Sequence, residues 1–234
     1  MIIDVVTAFP AIVKPALNES IIGRALQQQI VTVRIHDLRQ WTSDKHKTID
    51  DTPYGGGAGM ILKVEPLYRC LMDLTDNGTS KTRIILTSPR GQLLNQSSVT
   101  RLSLVDHLIL VCGRYKGVDQ RITKLFDIHE VSIGDYILSG GELAALVIID
   151  AVVRLLPGAI GDINSAWSDS FNDYLLDCDY YTRPEIFRDH CVPKILLSGN
   201  HEKISQWRQK EREKITKENR PDLYKKYLQK INQK

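Results

Sequence analysis

Along the first two thirds of the chain, short runs rich in β-branched residues alternate with stretches of helical periodicity. Ile2–Val6, Val31–Ile35, Arg83–Thr87, Leu108–Cys112 and His129–Ile133 have the length and the Val/Ile content of strands. Between them, Ser20–Gln28, Pro66–Leu74, Gln96–Leu104 and Asp119–Phe126 repeat their apolar residues three and four apart, as one face of a helix does. This order predicts an α/β fold, with a mostly parallel sheet covered by helices on both faces. The strands are nearly all apolar, as strands buried from both sides must be. The longest apolar run, Leu143 to Leu156, is broken by Asp150 and Arg154 and reads as a buried helix, because a membrane span needs ~18 apolar residues.

From Gly158 to Asp173 the chain reads GAIGDINSAWSDSFND, and neither period survives. Beyond it, Ile204, Trp207 and Ile215 share one side of a helix. Arg220-Pro221-Asp222 then punctuates, and Leu223, Tyr224, Tyr227, Leu228 and Ile231 recur at helical spacing. The expected organisation is an α/β domain over residues 1–160, a linker over 161–173 and a small helical domain over 174–234.

Composition, with 42% hydrophobic and 25% charged residues, is that of an ordinary globular protein. The distribution of charge adds more. Residues 201–234 hold eleven Lys/Arg against five Asp/Glu, a surplus of six, so a net charge of +3 leaves a deficit of three over residues 1–200. A basic helical end on a mildly acidic body suits contact with a polyanion, since phosphate neutralisation is the main sequence-independent source of nucleic-acid affinity; a solvated helix face is the plainer use of the same residues. The opening MIIDVVTAFPAIV places no basic leader before its apolar stretch, and the expectation is a soluble, cytoplasmic protein. Cys70, Cys112, Cys178 and Cys191 lack CxxC spacing and read as reduced core thiols. His46, His107, His129, His190 and His201 show no metal-ligand spacing, and neither GxSxG nor HExxH occurs, which argues against zinc enzymes and serine hydrolases.

Four segments are too rich in glycine and charge for mere connectors: Asp50 to Met60 (DDTPYGGGAGM), Thr87 to Gly91 (TSPRG), Gly113 to Gly117 (GRYKG) and Ser132 to Glu142 (SIGDYILSGGE). The last three each follow a predicted strand, and in an open α/β sheet such loops meet at the carboxyl edge, where ligands bind. The first permits close backbone approach but is neither a Walker A motif nor a dinucleotide fingerprint; a flexible surface loop explains it as well. Segment 132–142 sets Tyr136 and Leu138 among glycines, which suits wrapping a flat ring such as adenine; a tight turn capped by Ser139 is its structural alternative. Arg154 stands among Val152, Val153, Leu155 and Leu156, company in which a charge needs a partner or a task. Asp169 is a carboxylate in a polar stretch.

The runs DDTPYGGGAGM (50–60), LVCGRYKGVDQR (110–121), SIGDYILSGGELA (132–144), DSF (169–171), LLDCDYYTRPE (175–185) and PKILLSGNH (193–201) strongly resemble the bacterial tRNA (guanine-N1)-methyltransferases of the SPOUT superfamily. The likeness spans nearly the whole chain and loosens only in the final helices. It implies that the α/β domain ends in a deep trefoil knot, an exception to the rule against threaded chains. It also implies that S-adenosylmethionine binds in that knot, lined by Leu86, Ser88, Pro89, Gly113, Tyr115, Ser132, Ile133, Gly134, Tyr136, Leu138, Gly140 and Gly141. The implied enzyme is a homodimer whose composite sites join the knot of one subunit to the linker and C-terminal domain of the other. Its implied substrate is guanosine 37 in the anticodon stem-loop of tRNA, with no DNA or membrane partner.

By the same resemblance Asp169 matches the general base and Arg154 the residue that binds O6, and the Asp50–Gly59 loop becomes a candidate reader of the guanine before the target. Two departures stand out. Lys116 occupies a position that is usually acidic in the family, and Leu86 one that is usually tyrosine. The family's reaction is associated with magnesium; Asp169 and Asp177 remain as carboxylates, so Mg2+ stays a candidate with no ligand assigned. The alternatives are a knotted methyltransferase acting on a different RNA and a non-catalytic RNA-binding relative.

Overall fold

A computed structural model describes residues 1–75, 81–160, 169–171 and 173–232. They divide into two compact units, Met1–Ile163 and Asn164–Lys234. The predicted linker over 161–173 lies largely outside the described residues.

In the first unit, β1 (Ile2–Thr7) is followed by α1 (Pro10–Val13), α2 (Ser20–Gln27) and β2 (Thr32–Asp37). A short antiparallel pair, β3 (Asp50–Asp51) with β4 (Ile61–Leu62), precedes α3 (Val64–Thr75). Next come β5 (Thr82–Leu93), α4 (Gln96–Leu102), β6 (His107–Cys112), α5 (Ile122–Leu125), β7 (Ile128–Ser132) and α6 (Glu142–Val153). Five strands form one sheet in the order β2-β1-β6-β5-β7, and every pairing in it is parallel. The all-apolar strands are explained by two cores, one on each face. Ile3, Val5, Leu108 and Leu110 pack with Ile22 of α2, Val99 of α4 and Ile148 and Val152 of α6; Val6, Ile109 and Val111 point the other way, onto Leu67 and Leu71 of α3 and Ile122 of α5. The two-residue period of a strand sends neighbouring side chains to opposite faces, so β6 is buried along its whole length.

All five predicted strands are present, with ends shifted by a residue or two except at the C-terminal end of β5, six residues beyond the prediction. Three readings need correction. TSPRG is not a loop after a finished strand: β5 runs to Leu93, and its register on β7 slips between Thr87 and Gln92, both of which pair with Val131. Residues 88–91 are thus pushed out of an otherwise continuous strand. The predicted helix Asp119–Phe126 shrinks to Ile122–Leu125, because the Asp119 carboxylate accepts the Arg121 backbone N–H and side chain and holds a turn there. The glycine-rich stretch is not a free flexible loop, since β3 and β4 close its ends into a hairpin.

The second unit holds a hairpin of β8 (Ile186–Phe187) and β9 (His190–Cys191), then α7 (His201–Asn219) and α8 (Pro221–Ile231). The Asn200 side chain accepts the Lys203 N–H at the start of α7, and Pro221 opens α8, where its missing N–H costs nothing. Leu175, Cys178, Thr216 and Leu223 are buried, and the Thr216 hydroxyl accepts the Leu176 N–H at 2.8 Å. Arg212 grips Asp173 through two hydrogen bonds of 2.8 and 3.1 Å. Lys203, Arg208, Lys210, Lys214, Lys217, Lys225, Lys226 and Lys230 remain exposed. Cys191 is exposed as well, against the expectation of a core thiol, because a two-strand hairpin has no layer packed over it to bury the side chain.

Candidate cofactor site

Parallel strands β5, β6 and β7 all end on one side of the sheet, and the loops that leave them enclose a cavity of about 970 Å3. That is the upper end of the ~300–1,000 Å3 typical of small-molecule sites. All twelve positions assigned to a cofactor by resemblance line it: Leu86 from β5 with Ser88 and Pro89 from its bulge, Gly113 and Tyr115 after β6, Ser132 at the end of β7, and Ile133, Gly134, Tyr136, Leu138, Gly140 and Gly141 after it. Pro53, Tyr54, Gly59, Met60 and Ile61 add a wall from the glycine-rich hairpin.

Glycine is required where the loops meet. The Gly141 N–H donates to Gly113 O at 2.7 Å, and a Cβ on Gly141 would strike the Thr87 hydroxyl and stand 2.8 Å from the Gly113 nitrogen. The Thr87 hydroxyl itself accepts the Gly113 N–H and donates to Val111 O, both at 3.2 Å. Arg114 and Gly140 form an antiparallel bridge, so the loops after β6 and β7 are joined backbone to backbone. Ser139 does not cap α6; Gly141 holds the N-cap position, and Ser139 O instead accepts Arg114 Nη1 at 2.9 Å.

The cavity is apolar at its rim and polar along its backbone. Tyr115, Tyr136 and Leu138 are exposed there with little to cover them. Burial and then the Asp50 carboxylate push the Tyr115 hydroxyl above its usual value, so it stays a neutral donor. The Lys116 N–H donates to Met60 O at 2.9 Å, and the Leu62 N–H to Gly117 O at 3.0 Å, which fastens the glycine-rich hairpin to the loop after β6. Lys116 is exposed on this rim.

The two catalytic candidates are not brought together with these residues inside the first unit. Arg154 occupies the C-cap of α6, twelve residues from Glu142, so at ~1.5 Å per residue it lies some ~18 Å along the helix from the cavity end. Asp169 belongs to the second unit and is partly buried. Among the described residues, no group of three or more His, Cys, Asp and Glu is placed to hold a metal ion. No described helix is long and apolar enough to cross a membrane. Sequence reasoning did not single out Arg114 and Glu142, although the buried Glu142 closes the last glycine-rich segment; a carboxylate opening an apolar helix was the available signal.

A parallel sheet whose carboxyl-edge loops wall a large pocket with backbone and glycine belongs to the class of nucleotide-type cofactor binders. Comparison with known proteins narrows the class. The family model for tRNA (guanine-1)-methyltransferase TrmD matches residues 1–226. A tRNA (guanine-N(1)-)-methyltransferase of Geobacter metallireducens is 47% identical over 95% of this chain and 91% of its own length. The protein of that name from Phytoplasma australiense is 50% identical over 95% of the chain and 90% of its own. A third, from Endomicrobium trichonymphae, is 45% identical over 97% of the chain and all of its own length. The chain belongs to the tRNA (guanine-1)-methyltransferase family.

Proposed function

We propose that this protein transfers the methyl group of S-adenosylmethionine to N1 of guanosine 37 in the anticodon loop of tRNA, and that it works as a cytoplasmic homodimer. The observation that carries the reading is the convergence of all twelve cofactor positions on one cavity at the carboxyl edge of the sheet. Gly113, Gly140 and Gly141 let backbone donors and acceptors face a ring, while Leu86 and Leu138 supply apolar contact. A trefoil knot threading the segments that wall this cavity is part of the proposal.

When bound, the cofactor supplies an electrophilic methyl on a sulfonium. Guanine N1 carries a proton and cannot attack until that proton leaves. Asp169 takes it, and Arg154 binds O6 and offsets the negative charge that grows there. A free aspartate, with a pKa of ~3.9, is a weak base, so the arginine and the exclusion of water carry much of the assistance. No step is assigned to magnesium. Base extrusion from the loop exposes the Watson–Crick edge to these groups. The exposed lysines and arginines of α7 and α8 hold the phosphate backbone.

Dimerisation accounts for the placing of Arg154. Leu143 and Val147 are exposed on α6 in line with Asp150 and Arg154, at spacings of four, three and four residues that keep to one face. A two-fold axis through this face lays the helix antiparallel on its partner. That covers the two apolar side chains and carries each Arg154 to the other subunit's cavity end. The test is transfer of radiolabelled methyl from S-adenosylmethionine to two tRNA transcripts, one with guanosine and one with adenosine at position 37. Label on the first alone is expected, and Asp169→Asn is expected to slow it by ~10^2-fold or more. Label on both or on neither overturns the reading.

A further inference from the structure

Beneath the cavity a buried carboxylate faces an arginine that is not fully satisfied. Glu142, 1% exposed at the start of α6, accepts the Thr7 hydroxyl on Oε1 at 2.9 Å. Arg114 lies over the Phe9 ring with its guanidinium carbon 4.0 Å from the centroid, and its Nη1 donates to Ser139 O. Its Nε is buried and makes no hydrogen bond among the described residues; the nearest acid oxygen is Glu142 Oε1 at 3.8 Å. A charge-assisted hydrogen bond spans ~2.8 Å, so the pair stands about one ångström short of closing. A buried donor left in this state calls for an explanation.

We propose that Arg114 and Glu142 form a latch between the two loops that embrace the cofactor, and that a ligand seated in the cavity draws it shut. Arg114 belongs to the loop after β6 and lines the cavity, whereas Glu142 follows the loop after β7 and does not. Among the described residues, the loops are joined backbone to backbone at Gly140 and Gly141. Drawing Arg114 onto Glu142 tightens that junction and presses the loop after β7, which bears Tyr136 and Leu138, onto the ring. Glu142 is then a positioning residue that sets cofactor affinity without touching the cofactor. This rests on the methyl-donor reading above.

Calorimetric titration with S-adenosylmethionine tests the latch on the full chain, alongside thermal melting and steady-state kinetics. Glu142→Gln is expected to weaken cofactor binding by about tenfold, within the usual range of coupling between sites, while kcat at saturating cofactor and KM for tRNA change less than about threefold. Glu142→Asp, which keeps the charge, is expected to recover part of the affinity. If Glu142→Gln does not fold, Thr7→Val serves instead: on a β-branched frame it removes the hydroxyl that orients Glu142 and that also accepts the Phe9 N–H at 2.9 Å; a several-fold loss of affinity is expected. Wild-type affinity in the folded variant sinks the latch, and so do losses that track the melting temperature alike in Gln and Asp variants. If the unaltered protein binds no S-adenosylmethionine, the methyl-donor reading fails first.

Discussion

At the carboxyl edge of the sheet, glycine and backbone wall an open cavity of about 970 Å3, whereas behind the first half of β1 a fully buried carboxylate has all its needs met. Asp4 accepts Arg34 Nε at 2.6 Å and Nη2 at 2.5 Å, His36 Nε2 at 2.7 Å and His107 Nε2 at 2.6 Å. Burial alone would raise its pKa, but the hydrogen bonds from His36, Arg34 and His107 win and hold it well below the usual carboxylate range. A strongly perturbed acid flanked by two histidines is a common signature of a catalytic site. Here it is a closed structural network, since Asp4 does not line the cavity and each of its oxygens is spent on partners inside the sheet. The contrast separates two uses of polarity: groups that satisfy one another hold the fold, and groups left facing a void await a ligand.

The largest effect expected from breaking this contrast is at Asp4. Asp4→Asn leaves Arg34 and two histidines gathered around a neutral amide, and removing one partner of a buried charge network costs ~3 kcal/mol. Denaturant unfolding should show that loss, with cofactor affinity per folded molecule unchanged. A variant as stable as the parent, or one that binds S-adenosylmethionine poorly while folded, would join the two regions that we separate.

Gly141→Ala is the converse, with a smaller total effect felt in function. Its added methyl meets the Thr87 hydroxyl, the Gly113 nitrogen at 2.8 Å and Cys112 Cα at 3.0 Å, none of them flexible ends. Overpacking of this kind costs ~1–3 kcal/mol, and because the strain falls on the loop junction, cofactor affinity should drop by ~10- to 100-fold. Unchanged affinity by calorimetry would mean that the loops can part without consequence.

Acid titration sharpens the comparison further. Since the folded carboxyl of Asp4 titrates well below its unfolded value of ~3.9, its stabilisation is complete above that value and disappears as pH falls through the depressed folded one. Between about pH 4 and pH 2 the parent should therefore lose stability more steeply than Asp4→Asn. Parallel acid limbs for the two proteins would remove Asp4 as the cause.

The sheet was legible because five β-branched runs and their intervening helical periods report burial directly, and the cavity because glycine clusters after three of those runs must meet at one edge. The Asp4 network was not. Residues 4, 34, 36 and 107 are neighbours only once β1 lies between β2 and β6, and nothing local in the sequence encodes that order. His107 looked like a stray histidine for the same reason. The placing of Arg154 was illegible in another way: its apolar neighbours announce a special position, but periodicity says nothing about which end of α6 faces the ligand. The bulge in β5 escaped notice because Pro89 and Gly91 suggest a strand's end, whereas the chain resumes pairing at Gln92.

The smallest effect distinguishes the two regions without altering either. Cys112 adjoins Gly113 at the cavity, and Cys70 on α3 feels Asp73 and Asp4; burial pushes both thiols far above their usual value, with those acids adding to Cys70 and Glu142 to Cys112. Burial and then Asp177 also raise Cys178, while Cys191 is exposed on β9. Because the thiolate is the nucleophile, a chromogenic disulfide reagent should modify one thiol quickly in the native protein, Cys191→Ser should abolish that phase, and all four should react in denaturant. Two fast thiols in the parent would contradict the burial described here. Any slow second phase then reports local opening. If the carboxyl edge is the looser region, that phase belongs to Cys112 and S-adenosylmethionine suppresses it. A slow phase at Cys70, indifferent to the cofactor, would instead place the weaker packing beside Asp4 and reverse the comparison.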